Sequence, residues 1–163
     1  MSASDQLPLP PYKHLPGKNA RPNDDLLESI AAQASESTND NNFLSNIAWR
    51  YGIRLFNEGY YWETHEVLEA VWLNAVPNSR EKHLVQGVIQ IANARLKSLL
   101  NQPKACGRLS AMASECIARA YPAHLRKDGQ KTLLLMGLEA NAMRLAALEC
   151  ANSEVSISLQ SGT

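Results

Sequence analysis

The sequence has no excess of charge of one sign, and it has few aromatic residues. Its 16 lysines and arginines are balanced by 16 aspartates and glutamates, and aromatic residues make up only 6% of the chain. Without net positive charge, the chain has no global electrostatic attraction to nucleic acid or to an anionic membrane. No basic run is interleaved with aromatic residues, as it is in proteins that bind single strands. We therefore expect no nucleic-acid partner.

Long apolar runs and paired cysteines are also missing. No apolar run approaches the roughly 20 residues that span a bilayer, and the N-terminal MSASDQLPLPPYKHLPGK lacks the apolar centre of a signal peptide. The cysteines, Cys106, Cys116 and Cys150, are odd in number and form no CxxC pair. Cys106 and Cys116 would lie about 15 Å apart on one helix, too far for a disulfide. These features predict a cytoplasmic protein without a membrane partner, whose thiols are reduced and structural.

Motifs of nucleophilic catalysis and of phosphate binding are absent as well. No GxSxG sequence occurs, and neither Ser110 nor Ser114 has a histidine–acid pair close by in the chain. The glycine-rich loops GxGxxG and GxxxxGK, which cradle phosphate groups, do not occur. The sequence therefore favours neither a serine hydrolase nor a nucleotide-binding protein.

Proline is concentrated at the N-terminus, where residues 1–22 predict an extended arm. Proline cannot continue a helix, because its ring blocks the preceding turn and its nitrogen has no proton to donate. Tyr12 and Leu15 are the residues that we expect to pin the arm to the body of the protein. The prolines of the arm are Pro8, Pro10, Pro11, Pro16 and Pro22.

Residues 23–150 predict a single all-α domain, a compact bundle of about five to six helices. Hydrophobic residues form 45% of the chain, enough for a core, and they recur at helical spacing. No segment with the period of a strand is evident, and residues 151–163 predict a flexible tail. The predicted helices are DLLESIAAQA, about 42–57, about 60–74, the long helix REKHLVQGVIQIANARLKSLLN, one that begins at Pro103 and ends before Pro122, and QKTLLLMGLEANAMRLAALEC.

The third predicted helix, YYWETHEVLEAVW, has two faces that are not typical of a solvated surface. At 100° per residue, one face is aliphatic and the other is a polar strip between tryptophans. Glu63 lies outside this strip, about 100° from Trp62, and we expect it to face solvent. The strip consists of Trp62, His65, Glu66, Glu69 and Trp72.

The fourth predicted helix carries a matching strip of amides, Gln86, Gln90 and Asn93, at helical spacing. Only a short turn near Pro77 separates the two helices, which favours antiparallel neighbours, and Ser79 at the end of this turn is the predicted cap of the fourth helix. Glu69 would then come level with Gln86, His65 with Gln90 and Trp72 with His83. The two strips together predict a hydrogen-bond network of His, Glu and Gln side chains, or a ligand pocket that uses the same residues.

A metal site is an alternative interpretation of the same strip. HEVLE resembles the zinc-binding HExxH helix, but Glu69 stands where that motif has its second histidine. His65, Glu66 and Glu69 are therefore the candidate metal ligands and the candidate catalytic acids and bases. The cofactor that they would hold is a divalent transition metal, although the sequence favours a site without a cofactor because amides are poor ligands for such metals.

FNEGYYWETHEVLEAVW, followed by LVQGVIQIANA, resembles the signature of domain-of-unknown-function family 309. The segment PPYKHLPGKNARP resembles the proline-rich arm of the longer family members, so the resemblance covers about residues 10–123. It implies a compact, all-helical fold and no particular activity or cofactor. By resemblance, the family motif falls on Tyr61, Glu63, His65, Glu66, Glu69, Trp72, Gln86, Gly87 and Gln90.

Three functions are compatible with these patterns. The first is a non-catalytic binding or assembly module, whose partner would be a small molecule, another protein or a second copy of the chain. The second is a metal-dependent or acid–base enzyme, hydrolase-like, acting on a small molecule through His65, Glu66 and Glu69. The third is a pH switch at His65, whose charged form the neighbouring carboxylates would favour. The sequence favours the first function.

Overall fold

The computed structural model describes residues 3–23, 25–34, 36–129, 132–150 and 155–160. Within these ranges the chain forms six α-helices, one two-stranded antiparallel hairpin and two short 3-10 turns, Ala3–Asp5 and Ala123–Leu125. The predicted all-α bundle is confirmed. The helices are α1 (Asp25–Ala31), α2 (Ile47–Asn57), α3 (Tyr61–Leu73), α4 (Arg80–Leu99), α5 (Pro103–Ala120) and α6 (Ala140–Leu148). The strands are β1 (Leu134–Leu135) and β2 (Leu138–Glu139).

Capping side chains explain where the helices begin. Ser79 accepts a hydrogen bond from the backbone N–H of Lys82 at 3.1 Å, so it caps α4 as the sequence predicts. Asn46 likewise caps α2 by accepting from the backbone N–H of Trp49. The prediction of a helix from residue 42 was wrong, because this asparagine starts the helix five residues later and the preceding residues form turns.

The core lies where α2, α3, α4 and α5 meet, and α4 packs on both α3 and α5. The predicted contact between the third and fourth helices is therefore confirmed. Gly87 on α4 permits a close approach to α5, since a Cβ atom at this position would lie 2.6 Å from Cδ1 of Ile117. No described helix combines the length and the apolar composition that crossing a membrane requires.

The prediction of the last helix was wrong for its first half, where the chain forms the β1–β2 hairpin. Met136 and Gly137 have φ angles of 47° and 79°, the left-handed conformation that a tight hairpin turn requires. Two distant side chains hold this turn: the Met136 N–H donates to Asp40 at 2.6 Å, and Trp49 donates to the Met136 carbonyl at 3.2 Å. A leucine-rich run does not by itself distinguish a buried strand from a helix. The first two residues of that predicted helix, 130 and 131, lie outside the described residues.

Residues 155–160 pack against the helices, in contrast to the flexible tail expected for residues 151–163. Ile157 is fully buried. The side chain of Asn57 donates a hydrogen bond to the Ile157 carbonyl at 2.6 Å and accepts one from the Ile157 N–H at 2.9 Å. Arg95 of α4 donates to the Val155 carbonyl at 2.5 Å. Residues 151–154 and 161–163 of the predicted tail lie outside the described ranges.

Candidate functional site

The predicted network between α3 and α4 is not formed among the described residues. Among the described residues, the one polar contact of the His65 side chain is with its neighbour on the same helix, Nδ1 lying 3.4 Å from Oε1 of Glu66, and their side chains are 35% and 29% exposed. Glu69 is exposed, and no hydrogen bond joins it to Gln86 across the helix pair in the described part of the chain. Because these side chains are open to water, the protein does not have to pair them with one another.

Gln86, Gln90, Asn93 and Trp72 of the predicted strips are partly buried and differ in whether a polar atom is left without a partner. On α4, Gln86 and Asn93 are half-buried, and Gln90 has a buried Oε1 atom without a hydrogen-bond partner. Trp72 also has a buried, unpaired Nε1 atom, while the ammonium of Lys82 lies 4.3 Å from the centre of its ring. The contact between residues 72 and 82 agrees with the predicted levels of the two helices, but polar pairing across them is missing.

His65, Glu66 and Glu69 do not form the three-ligand metal site considered from the sequence. Within the described ranges, no group of three or more histidine, cysteine, aspartate or glutamate side chains is placed to hold a metal ion. An HExxH helix brings two histidines together one turn apart, and here the exposed Glu69 takes the second of these positions.

Glu63, expected to face solvent, is instead fully buried at 0% exposure. The prediction was wrong because a helical wheel describes one helix and ignores a distant segment that covers it. That segment is the N-terminal arm, residues 3–22 of the described chain. One carboxylate oxygen of Glu63 accepts a hydrogen bond from the backbone N–H of His14 at 2.7 Å, and the other, Oε2, is buried without a hydrogen-bond partner.

The environment of Glu63 opposes its charge. Burial raises the pKa of Glu63, and this effect is larger than the opposing effects of hydrogen bonds from the N–H groups of His14 and of Glu63 itself. The positive charges of His14 and Lys13 also oppose the rise. A buried carboxyl group with a raised pKa and one free oxygen is the most perturbed acidic group that the described residues bring to the arm interface.

Side chains of α2 and of the turn before α3 bind the backbone of the arm. Tyr51 donates its hydroxyl proton to the Pro8 carbonyl at 2.7 Å, and Tyr60 donates to the Pro10 carbonyl at 3.2 Å. Arg54 donates to the carbonyl of Leu7 at 2.6 Å. Proline-rich backbone offers carbonyls but few N–H groups, so side-chain donors satisfy it where a helix or sheet cannot.

Basic side chains of the arm lie against two aromatic rings at the start of α3. The ammonium of Lys13 is 5.2 Å from the centre of the Tyr60 ring, and the guanidinium of Arg21 is 5.2 Å from that of Trp62. The imidazole of His14 meets the same Trp62 ring edge-on, with 4.7 Å between ring centres. Contacts of cations with aromatic faces are worth about 0.5–2 kcal/mol each, more where water is excluded. The arm is therefore bound by its charges as well as by its backbone.

The arm also has order of its own around Asn19. This side chain accepts from the Leu15 N–H at 2.9 Å and donates to the Lys13 carbonyl at 2.9 Å, which closes a turn. Tyr12, one of the two residues expected to pin the arm to the body, is exposed and instead donates to the Ala20 carbonyl within the arm. Leu15, the other, packs against the hydrophobic core as expected.

The sequence indicated Tyr51, Arg54 and Tyr60 only weakly, because none belongs to a recognisable catalytic or ligand-binding spacing. Glu63 had one signal, its place in the family motif, and the helical wheel pointed the other way. The residues gathered by the structure form what we call the arm groove: Tyr51, Arg54, Tyr60, Trp62 and Glu63.

Comparison with known proteins bears on the groove and not on the arm. No curated protein and no solved structure matches the chain. The family match extends from Trp49 in α2 into α5 and contains every residue of the arm groove, whereas the arm lies outside it. Residues 49–109 match the family described as Domain of unknown function (DUF309), in agreement with the resemblance seen in the sequence.

Proposed function

We propose that this domain is a non-catalytic binding module whose arm groove holds extended, proline-containing peptide segments with basic side chains. The N-terminal arm is the segment of this kind within the chain itself. A single observation carries the proposal: the polar groups of the groove make their hydrogen bonds to the backbone of the arm and not to one another.

The contacts divide into two kinds of recognition. Hydrogen bonds to carbonyl groups accept any residue that keeps the backbone extended, and proline favours such a backbone before binding, which lowers the entropy lost on binding. The basic side chains on Tyr60 and Trp62 add a preference for positive charge. Glu63 adds a further hydrogen bond to the backbone of the segment. The ligand class is therefore a basic, proline-containing segment of a partner protein.

Because the arm is part of the same chain, its local concentration at the groove is high. A flexible tether gives an effective concentration in the millimolar range, so a segment from another molecule has to compete with the arm. Binding of a partner would then depend on displacement of the arm, and the groove would be measured best after the tether has been cut.

A cleavable tether provides the test. A protease site inserted after Asn23, which is exposed, lets the arm be cut from the folded protein. We expect the cut arm to stay bound, and a labelled peptide of residues 1–22 to exchange with it. A peptide with alanine at Lys13, His14 and Arg21 should bind less tightly. A partner segment gives a 1:1 complex with the cut protein, whereas in the uncut protein exchange of arms between copies of the chain gives a dimer in size-exclusion chromatography.

Matched variants make the result specific. Glu63→Ala removes a charged acceptor of a buried hydrogen bond, worth about 1.5–3 kcal/mol, so the affinity for the peptide should fall roughly 10–100-fold. Glu69→Ala removes an exposed glutamate from the same helix and should leave the affinity unchanged. Equal affinities of the two variants, or a cut arm that dissociates at micromolar protein concentration, would contradict the proposal.

An acid–base enzyme is the second candidate, and one observation favours it. Glu63 combines burial, a raised pKa and an unpaired oxygen, the properties of a general acid. The intact protein and the cut protein can both be assayed against small ester and amide substrates, each beside its Glu63→Gln variant. Turnover that disappears in Glu63→Gln would favour catalysis over peptide binding.

A further inference from the structure

A cavity of about 630 Å³ is separate from the arm groove, since none of the groove residues lines it. It opens between the end of α4, the start of α5 and the end of α6, and its volume is typical of a site for a small molecule. Among the described residues, its lining contains two thiols and no carboxylate, amine, guanidinium or imidazole. The lining residues are Ser98, Asn101, Gln102, Pro103, Cys106, Gly107, Ser110, Leu148 and Cys150.

The two thiols of this cavity come from different elements, and both belong to its lining. Cys150 donates to the carbonyl of Ala147 at 3.0 Å, and Ser110 of α5 donates to the same carbonyl oxygen at 2.6 Å. Cys106 precedes Ser110 by one turn of α5, a rise of about 6 Å, and lies on the same side of the helix. Burial is the main cause that raises the pKa of Cys150, and the nearby Cys106 raises it further, in agreement with their place in one cavity.

We propose that Cys106 and Cys150 are the two halves of a reversible disulfide that a small disulfide of the glutathione class forms through this cavity. Both thiols are buried and free in this structure, and the cavity provides the access that their burial would otherwise deny. The bond would tie α5 to the chain just beyond α6 and close a loop that contains the β1–β2 hairpin.

The reaction is a pair of thiol–disulfide exchanges. One protein thiolate attacks the oxidant, the sulfur–sulfur bond of the oxidant breaks, and one small thiolate leaves and takes up a proton. The second protein thiolate then attacks the mixed disulfide and releases the second small thiol. Two protein thiols lose two electrons and two protons, and the oxidant gains them as two thiols. Burial raises the pKa of Cys150, so a smaller fraction of it is thiolate at neutral pH than for an ordinary thiol. The rate of oxidation should therefore still increase at pH values above the pKa of an ordinary thiol.

Cys116 is an internal control. It lies on α5, ten residues from Cys106, which is about 15 Å along the helix axis and beyond the reach of a disulfide. It is half-buried and does not line the cavity. Oxidation that follows the proposed geometry therefore spares this thiol from any bond within the chain.

The experiment treats reduced, full-length protein with glutathione disulfide and follows its intact mass and its cysteine-containing peptides. We expect the loss of two hydrogens, a cross-linked peptide pair that contains Cys106 and Cys150, and reversal by dithiothreitol. The oxidised protein should melt several degrees higher than the reduced protein, and Cys116→Ala should behave in the same way. In Cys106→Ala the mass loss and the gain in melting temperature should both disappear.

Other products would overturn the proposal. These are single glutathione adducts without ring closure, a bond that involves Cys116, or a disulfide between two chains. A second variant tests the cavity as the route of entry: a Cβ atom on Gly107 has no heavy atom within 4 Å, so a larger side chain can enter the cavity without displacing the core. Gly107→Leu should slow oxidation several-fold relative to Gly107→Ala, and equal rates would show that the oxidant enters elsewhere.

Discussion

Replacement of Glu63 tests the central contact of the arm groove through the free energy of unfolding. In Glu63→Ala, the backbone N–H of His14 loses its acceptor 2.7 Å away, and this bond is buried. A buried donor without a partner costs about 1–3 kcal/mol, which corresponds to roughly 2–12 °C in the melting temperature of a chain of this size. Glu63→Gln keeps an oxygen acceptor and removes the buried charge, so at neutral pH it should be at least about 1 kcal/mol more stable than Glu63→Ala.

The pH dependence of the free energy of unfolding is a second, independent test of the environment of Glu63. Burial raises the pKa of Glu63 in the folded protein above its value in the unfolded chain, so the folded state binds more protons between these two pKa values. The contribution of Glu63 to stability is therefore complete below the unfolded pKa and declines as the pH rises to the folded pKa. Above that value the destabilisation is constant. Glu63→Gln has no proton to bind, so this part of the pH dependence should vanish.

Urea denaturation at a series of pH values from 4 to 8 measures both effects. The stability of the wild type minus that of Glu63→Gln should fall as the pH rises from the acidic end, whereas wild type minus Glu69→Gln should stay flat because that glutamate is exposed. The reasoning would be refuted by a flat difference for Glu63→Gln, or by equal stabilities of Glu63→Ala and Glu63→Gln at pH 7.

Three further predictions concern single substitutions that denaturation or proteolysis can measure. Gly87→Val should lower the free energy of unfolding by about 1–3 kcal/mol because its side chain meets Ile117, whereas Gly107→Ala, which has open space, should be neutral or stabilising; similar losses in both would contradict the close helix contact. His65→Ala should cost less than about 0.5 kcal/mol, since the ring is partly exposed and its one polar contact among the described residues is with Glu66, and a loss above 2 kcal/mol would favour the buried network. Tyr51→Phe removes a hydrogen bond to an arm carbonyl and should cost about 0.5–1.5 kcal/mol and speed proteolysis within the arm; unchanged cleavage would argue against the groove.

The sequence predicted helices well where local chemistry decides them. Ser79 caps α4 and Pro103 opens α5, as expected, because a cap and a first-turn proline act within a few residues of the chain. The hairpin at Met136 was missed for the opposite reason. Its turn is held by Asp40 and Trp49, which are 96 and 87 residues away along the chain.

The polar strip of α3 shows the same contrast between what neighbouring residues determine and what tertiary structure decides. Helical periodicity predicted that His65, Glu66 and Glu69 share one side of α3, and the short turn predicted that α4 packs beside this helix. The structure confirms that α3 and α4 are neighbours. Periodicity could not show whether the facing side chains would exclude water. His65 and Glu66 are partly exposed and Glu69 is exposed, so these side chains need no partner across the helix pair, whereas Oε1 of Gln90 is buried without one.

The sequence by itself determined that this protein is a bundle of helices with a proline-rich arm, because helical period, caps and proline act over a few neighbouring residues. Only the tertiary structure decided which acidic residue matters. Glu63 is buried by His14 and its neighbours, 49 residues earlier in the chain. The helix alone would leave that carboxylate in water, and the arm that covers it changes both its pKa and its partner.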